Sequence, residues 1–195
     1  DSQRCEGSMR KPPSLWPIIR VACIGAFIGQ LDASIVQLAL PALKDAFGVT
    51  VDEVRWVAIA YLLAFAAFLP VFGRVCEILG RKPCYLAGFA LFSISSVLCG
   101  WATDLEWLIA FRTLQGVGGS LLGANSIAII VQSVPENRRN HAIGVFTAAQ
   151  AMGVSVGPAA GGLLLDTLDW RWIFWTSVPF GLTGFVLGCL VVPST

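Results

Sequence analysis

Of the 195 residues, 56% are hydrophobic and only 13% are charged, with a formal net charge of +1; a soluble domain carries about 25% charged residues. Mean hydropathy is +0.75, which excludes a disordered chain, and the near-neutral charge excludes a nucleic-acid binder. Six cysteines in a chain of this length are too sparse for a disulfide scaffold.

The solvent for most of this chain is therefore lipid. A bilayer core ~30 Å thick takes about 20 mostly apolar residues at ~1.5 Å per residue. Six stretches meet that requirement, at about 17–41, 54–72, 84–101, 107–132, 141–165 and 172–192. Ahead of them, residues 1–14 read as a cytoplasmic tail. Met9-Arg10-Lys11 is a natural start, so residues 1–8 are expected not to be native. The first stretch is too long for a cleavable signal peptide and contains Asp32. Between stretches lie Lys44-Asp45, Gly80-Arg81-Lys82-Pro83, Asp104, Pro135-Glu136-Asn137-Arg138-Arg139 and the acidic turn Asp166 to Asp169. The runs are too long for barrel strands and lack period-two alternation. Lipid requires backbone groups to be satisfied within each segment, so each run is a helix. The expected fold is all-α, a six-helix membrane bundle over 15–192, with 193–195 a truncated end.

With the N-terminus inside, Arg4, Arg10, Lys11, Arg20, Arg74, Arg81, Lys82, Arg138 and Arg139 fall on the cytoplasmic side. Only Lys44, Arg55 and Arg171 fall outside, which fixes both termini as cytoplasmic by the positive-inside rule. Trp56, Trp101, Trp107, Trp170, Trp172 and Trp175 then form an outer interfacial belt. No cysteine pair has CxxC spacing, so no metal or redox site is expected.

Helices in lipid associate through small residues that let backbones approach. Gly25/Gly29, Gly119/Gly123, Gly153/Gly157/Gly161 and Gly184/Gly188 have that spacing. Gly157-Pro158 in mid-span adds an expected kink or hinge. Two charges sit deep within spans, and each costs ~2.5–3.5 kcal/mol at a helix centre. Asp32 lies ~23 Å from the inner surface and Arg112 ~8 Å from the outer one, so in a ~30 Å core their depths nearly coincide. A facing pair would lower the cost of both. The pair can be a permanent structural bridge or a proton switch. Burial favours a protonated carboxyl and a neighbouring cation favours the carboxylate, so a group alternating between such surroundings binds and releases a proton.

Four motifs resemble the N-terminal half of a major facilitator superfamily transporter, most of all the fourteen-helix drug:proton antiporters. Leu31-Asp32-Ala33-Ser34-Ile35-Val36-Gln37-Leu38-Ala39-Leu40-Pro41 resembles that group's first-helix motif LDxTIVNVALP. Gly73-Arg74-Val75-Cys76-Glu77-Ile78-Leu79-Gly80-Arg81-Lys82 resembles the loop motif GxLADRxGRR/K, with Glu77 for the usual Asp and Ile78 for the usual Arg. Leu108 to Gly118 is similar to the fourth-helix motif lxxxRxxqGxg. Gly153-Val154-Ser155-Val156-Gly157-Pro158-Ala159-Ala160-Gly161-Gly162 is similar to the antiporter motif GxxxGPxxGG.

The resemblance implies a bundle of 3+3 inverted repeats, and alternating access that exports a drug or metabolite as protons enter. Asp32 and Arg112 would carry coupling. Gly73, Glu77, Gly80, Arg81 and Lys82 would form a cytoplasmic gate, and Gly153, Gly157, Pro158, Gly161 and Gly162 a bendable fifth helix. Gln115, Asn125 and Gln150 are expected along the substrate path or bonded to a neighbouring helix. The expected partners are the bilayer of the cell membrane, protons, a lipophilic or cationic small molecule, and a missing C-terminal half. No cofactor is expected beyond the proton gradient. Alternatives are a non-transporting fragment or relic, and a half that must dimerise. An enzyme reading rests only on the G-x-S-x-G of Gly153 to Gly157, which lacks a strand–turn–helix elbow and has its one histidine, His141, about 18 Å along the same helix.

Overall fold

The computed structural model describes residues 15–191. The expected tail 1–14, Cys5 and the end 193–195 lie outside the described residues. The helices are α1 (Leu15–Phe47), α2 (Val51–Leu79), α3 (Arg81–Trp101), α4 (Leu105–Ser133), α5 (Glu136–Thr167), α6 (Arg171–Trp175) and α7 (Ser177–Val191). Six helical spans are long and apolar enough to cross a membrane, with α6 and α7 together making the sixth.

The joints follow local chemistry. Between α1 and α2 the backbone of Gly48 has φ 64°, and Thr50 then caps α2 in a capping box with Glu53. Gly80, at φ 92°, takes the left-handed turn that lets α3 start one residue after α2 ends. The sixth span breaks at Thr176. Pro179 has no N–H for the carbonyl of Trp175, four residues earlier, so the helix lapses for one residue and restarts. Pro158 does not break α5, which is helical from Glu136 to Thr167.

Packing repeats across the two three-helix units, α1–α3 and α4–α7. The first helix of each unit lies along the second helix of the other, α1 on α5 and α4 on α2. The third helix of each unit packs on the first helix of the other, α3 on α4 and α6–α7 on α1. Each unit has an odd number of spans, so the second enters the membrane from the opposite side, as inverted repeats require. α1, α3 and α4 are the most enclosed, while α2 and α5 leave most of their surface uncovered.

The tryptophan belt is partly corrected. Trp56, Trp101, Trp107 and Trp172 are well exposed, but Trp170 is only 8% exposed. Its ring packs at a tilt of 56° against Phe47, centroids 5.2 Å apart, and carries the Arg171 guanidinium at 4.7 Å. Trp175 packs its indole against Gly100, where any Cβ would collide with it. Both are packing residues because α6 turns inward onto α3.

Candidate functional site

The two intramembrane charges meet. Arg112 on α4 donates from Nη1 to Oδ2 of Asp32 on α1 at 2.5 Å, and each residue is 1% exposed. The same nitrogen donates to Oε1 of Gln115 at 2.6 Å, and Nε donates to the Val57 carbonyl of α2 at 3.3 Å. Gln115 closes the ring by donating from Nε2 to Asp32 Oδ1 at 3.0 Å and to Ser96 Oγ of α3 at 2.7 Å. The Cys99 thiol donates weakly to Gln115 Oε1 at 3.8 Å. Both carboxylate oxygens are thus occupied. The guanidinium also lies 4.3 Å from the Tyr61 ring and 5.8 Å from that of Phe174, contacts that favour a desolvated cation. One centre therefore joins α1, α2, α3, α4 and α6. Removing one partner of such a pair strands a buried charge, at a cost of about 3–5 kcal/mol.

On the N-terminal side of Asp32 along α1 lies a cavity of about 100 Å³, partly open, between α1, α2, α4 and α5. Its walls include Gly29 and Gln30, Tyr61 and Phe65, Gly119 and Gly123, and Gln150. Tyr61 therefore belongs to both places, its hydroxyl beside the cavity glycines Gly29 and Gly119 and its ring facing Arg112.

Of the polar residues expected along a path, only Gln150 lines this cavity. Gln115 is fully buried in the ion-pair network. Asn125 is fully buried against α2, where its Nδ2 donates to the Leu121 carbonyl and to Cys76 Sγ. Both take the other of the two expected roles, a bond to a neighbouring helix, Gln115 to Asp32 of α1 and Asn125 to Cys76 of α2.

The loop residues divide. Arg81 pairs with Glu77 at 3.7 Å, and the two flank a second hollow with Gly80, Cys76 and Gln132. Lys82 turns away and donates to the Cys189 carbonyl on α7 at 3.0 Å. Nothing lies within 4 Å of a Cβ placed at Gly73.

On α5, Gly153, Gly157 and Gly161 face α1. A Cβ at 153 would lie 2.6 Å from the Phe27 carbonyl oxygen, one at 157 2.5 Å from Ser34 Cβ, and one at 161 3.3 Å from Ile35. Gly162 faces open space. Pro158 lacks the N–H that would satisfy the carbonyl of Val154 four residues earlier. Ser34 Oγ donates to that carbonyl at 3.0 Å, so a hydroxyl of α1 takes the place of the missing helix bond.

The family model described as Major Facilitator Superfamily matches residues 22–195. The chain belongs to that superfamily. It is 34% identical over 178 residues to riboflavin transporter RibZ of Clostridioides difficile, covering 91% of this chain and 39% of that protein. It is 36% identical over 173 residues to multidrug resistance protein Stp of Mycobacterium tuberculosis, covering 88% of this chain and 32% of that protein. The chain thus spans about a third of the length of the curated relatives it matches. In fold it resembles a bacterial homologue of the human lysosomal transporter Spinster, in an inward-facing and unoccupied conformation. That match has a TM-score of 0.71 at 16% identity, over 92% of this chain and 42% of the other. As a member of the superfamily the chain is a multi-pass membrane protein of transporter type and not an enzyme. Ser155, the serine of the G-x-S-x-G match, sits on unbroken helix and bonds to the Ala151 carbonyl.

Sequence reasoning passed over Gln30, Tyr61, Ser34, Ser96 and Cys99. For Ser34 a signal existed: a proline at 158 leaves the carbonyl at 154 open and calls for a donor. Tyr61 and Gln30 carry no such signal, because their place depends on how four helices close around one space.

Proposed function

We propose that the chain forms the N-terminal half of a proton-coupled exporter of small molecules in the cytoplasmic membrane, working by alternating access. The observation that carries this reading is the fully buried Asp32–Arg112 pair, which spans α1 and α4 and touches the cavity through Tyr61. Relatives named for multidrug resistance and for riboflavin transport support a small-molecule cargo.

Proton arrival at Asp32 removes the ionic bond between α1 and α4. Arg112 then keeps Gln115 Oε1 and the Val57 carbonyl as acceptors, so its charge stays on α4 while α1 is released. Deprotonation restores the bond. Cargo in the cavity presses on Tyr61, whose ring backs Arg112, and this ties occupancy to the state of the pair. The Glu77–Arg81 turn and a bend of α5 against α1 serve as the moving parts, working against a facing C-terminal half.

The test is efflux by the full-length gene product carrying Asp32→Asn, with and without an uncoupler. The wild type is expected to lose efflux on uncoupling. The variant should reach the membrane at normal level and lose proton-driven efflux by tenfold or more. Unimpaired, uncoupler-sensitive efflux by the variant would refute the assignment.

A further inference from the structure

The cavity has no charge of its own. None of its lining residues is acidic or basic. Asp32, two residues beyond Gln30 on α1, gives both oxygens to Arg112 and Gln115 and does not reach it. A cation entering this wall of the site would shed water without gaining a counter-ion, which is unfavourable.

What the cavity offers instead is flat and amphipathic. Tyr61 and Phe65 stack with centroids 6.3 Å apart and planes at 27°. They are seated on glycine: a Cβ at Gly119 would lie 3.1 Å from the Tyr61 hydroxyl, and one at Gly123 3.1 Å from the Phe65 ring. Gln30 on α1 and Gln150 on α5 supply the polar groups, both half-buried. Neither amide makes a hydrogen bond within the protein among the described residues. Each presents both a donor and an acceptor. Ser126, also at the wall, is already bonded to the Leu122 carbonyl and to Tyr85.

We propose that this cavity binds an uncharged, planar aromatic ligand carrying one hydrogen-bond donor and one acceptor, its ring against Phe65 beside the hydroxyl edge of Tyr61 and its donor and acceptor on Gln30 and Gln150. This rests on the export reading for its purpose but not for its measurement, because binding and transport are read separately.

Two probes share a ring system and differ in charge: acridone, a neutral tricycle with one carbonyl and one N–H, and N-methylacridinium, a permanent cation. Fluorescence titration of the purified full-length gene product is expected to show acridone bound at least tenfold more tightly. Gln30→Leu and Gln150→Leu should each weaken acridone about two- to tenfold, the worth of one hydrogen bond, and leave the cation unchanged. Gln150→Glu should turn the preference toward the cation, which keeps the claim testable if a leucine variant folds poorly. Equal affinity for the two probes, binding of neither, or leucine variants that bind acridone normally would each overturn the proposal. In vesicles with an imposed pH gradient, bound acridone that is not moved would count against export and leave the ligand class standing. Gradient-driven movement of the cation alone would do the reverse.

Discussion

The seams α1–α5 and α2–α4 are equivalent under the internal repeat, yet different chemistry fastens them. On α2–α4 the small residues lie on α4, and a Cβ at Gly116 would come within 2.4 Å of the Tyr61 carbonyl oxygen. Arg112 then crosses the same seam to the Val57 carbonyl and the Tyr61 ring while holding Asp32 of α1. On α1–α5 the small residues lie on α5, and among the described residues the side-chain hydrogen bond across the seam is that of Ser34 to the Val154 carbonyl. Lipid supplies little drive for helix association, so dispersion at close approach and a few polar bonds hold each seam. The α2–α4 seam is held by the bond of Arg112 to the Val57 carbonyl, and the same guanidinium ties α4 to α1 through the ion pair. A seam closed by glycines and one hydroxyl, beside a proline, yields first. On the proposed mechanism the first is the fastening that responds to protons and the second the joint that bends, on opposite sides of α1.

The largest expected effect tests the fastened side. Arg112→Ala strands the Asp32 carboxylate and should cost about 3–5 kcal/mol, read as a lowered thermal unfolding temperature in detergent together with loss of efflux. The double variant Asp32→Asn/Arg112→Gln removes both charges and should regain most of the stability. It should not regain proton-driven efflux, since nothing is left to titrate. Equal damage in the single and double variants would show that the pair matters only as packing.

The next effect compares the seams through their glycines. Gly116→Ala drives a methyl against the fixed Tyr61 carbonyl and should cost about 1–3 kcal/mol by overpacking. Gly157→Ala meets both Cβ and Oγ of Ser34 at 2.5 Å; the Cβ cannot rotate away, but α5 is largely uncovered and can shift outward, so its cost should be smaller. Gly157→Leu cannot be absorbed that way and should abolish efflux while insertion continues. A melting curve and an efflux rate for each variant decide the order, and a milder Gly116→Ala would contradict the comparison.

The sequence showed the spans because lipid imposes a length rule that local composition must obey. It also showed the meeting of Asp32 and Arg112, since depth along a helix can be counted from either end. The break at Thr176 was passed over: the sequence reads 172–192 as one span, and a proline does not by itself mark a break, since Pro158 lies within continuous helix. The destinations of the amides were not legible either. Gln115, Asn125 and Gln150 are alike in sequence, and only the packed bundle sends the first to an ion pair, the second to Cys76 and the third to a cavity. Trp170 reads as an interfacial anchor until α6 is seen to carry it under Phe47. Local rules fix what each helix is; which face meets which neighbour depends on all of them together.

The smallest effect examines the joint itself. Ser34→Ala removes the donor that satisfies the Val154 carbonyl, a loss of about 1 kcal/mol for an interhelical bond facing lipid-accessible surface. Pro158→Ala restores an N–H to residue 158 and lets that carbonyl bond within its own helix. If the hydroxyl substitutes for the missing helix bond, Ser34→Ala should cost about 1 kcal/mol in the native background and almost nothing alongside Pro158→Ala. The difference is the coupling energy of a double-mutant cycle. Pro158→Ala should also slow efflux more than it weakens ligand binding, because a continuous α5 is stiffer where it must bend. Equal cost of Ser34→Ala in both backgrounds would mean that the serine acts through its size alone, leaving the bend of α5 to Pro158 and its flanking glycines without help from α1.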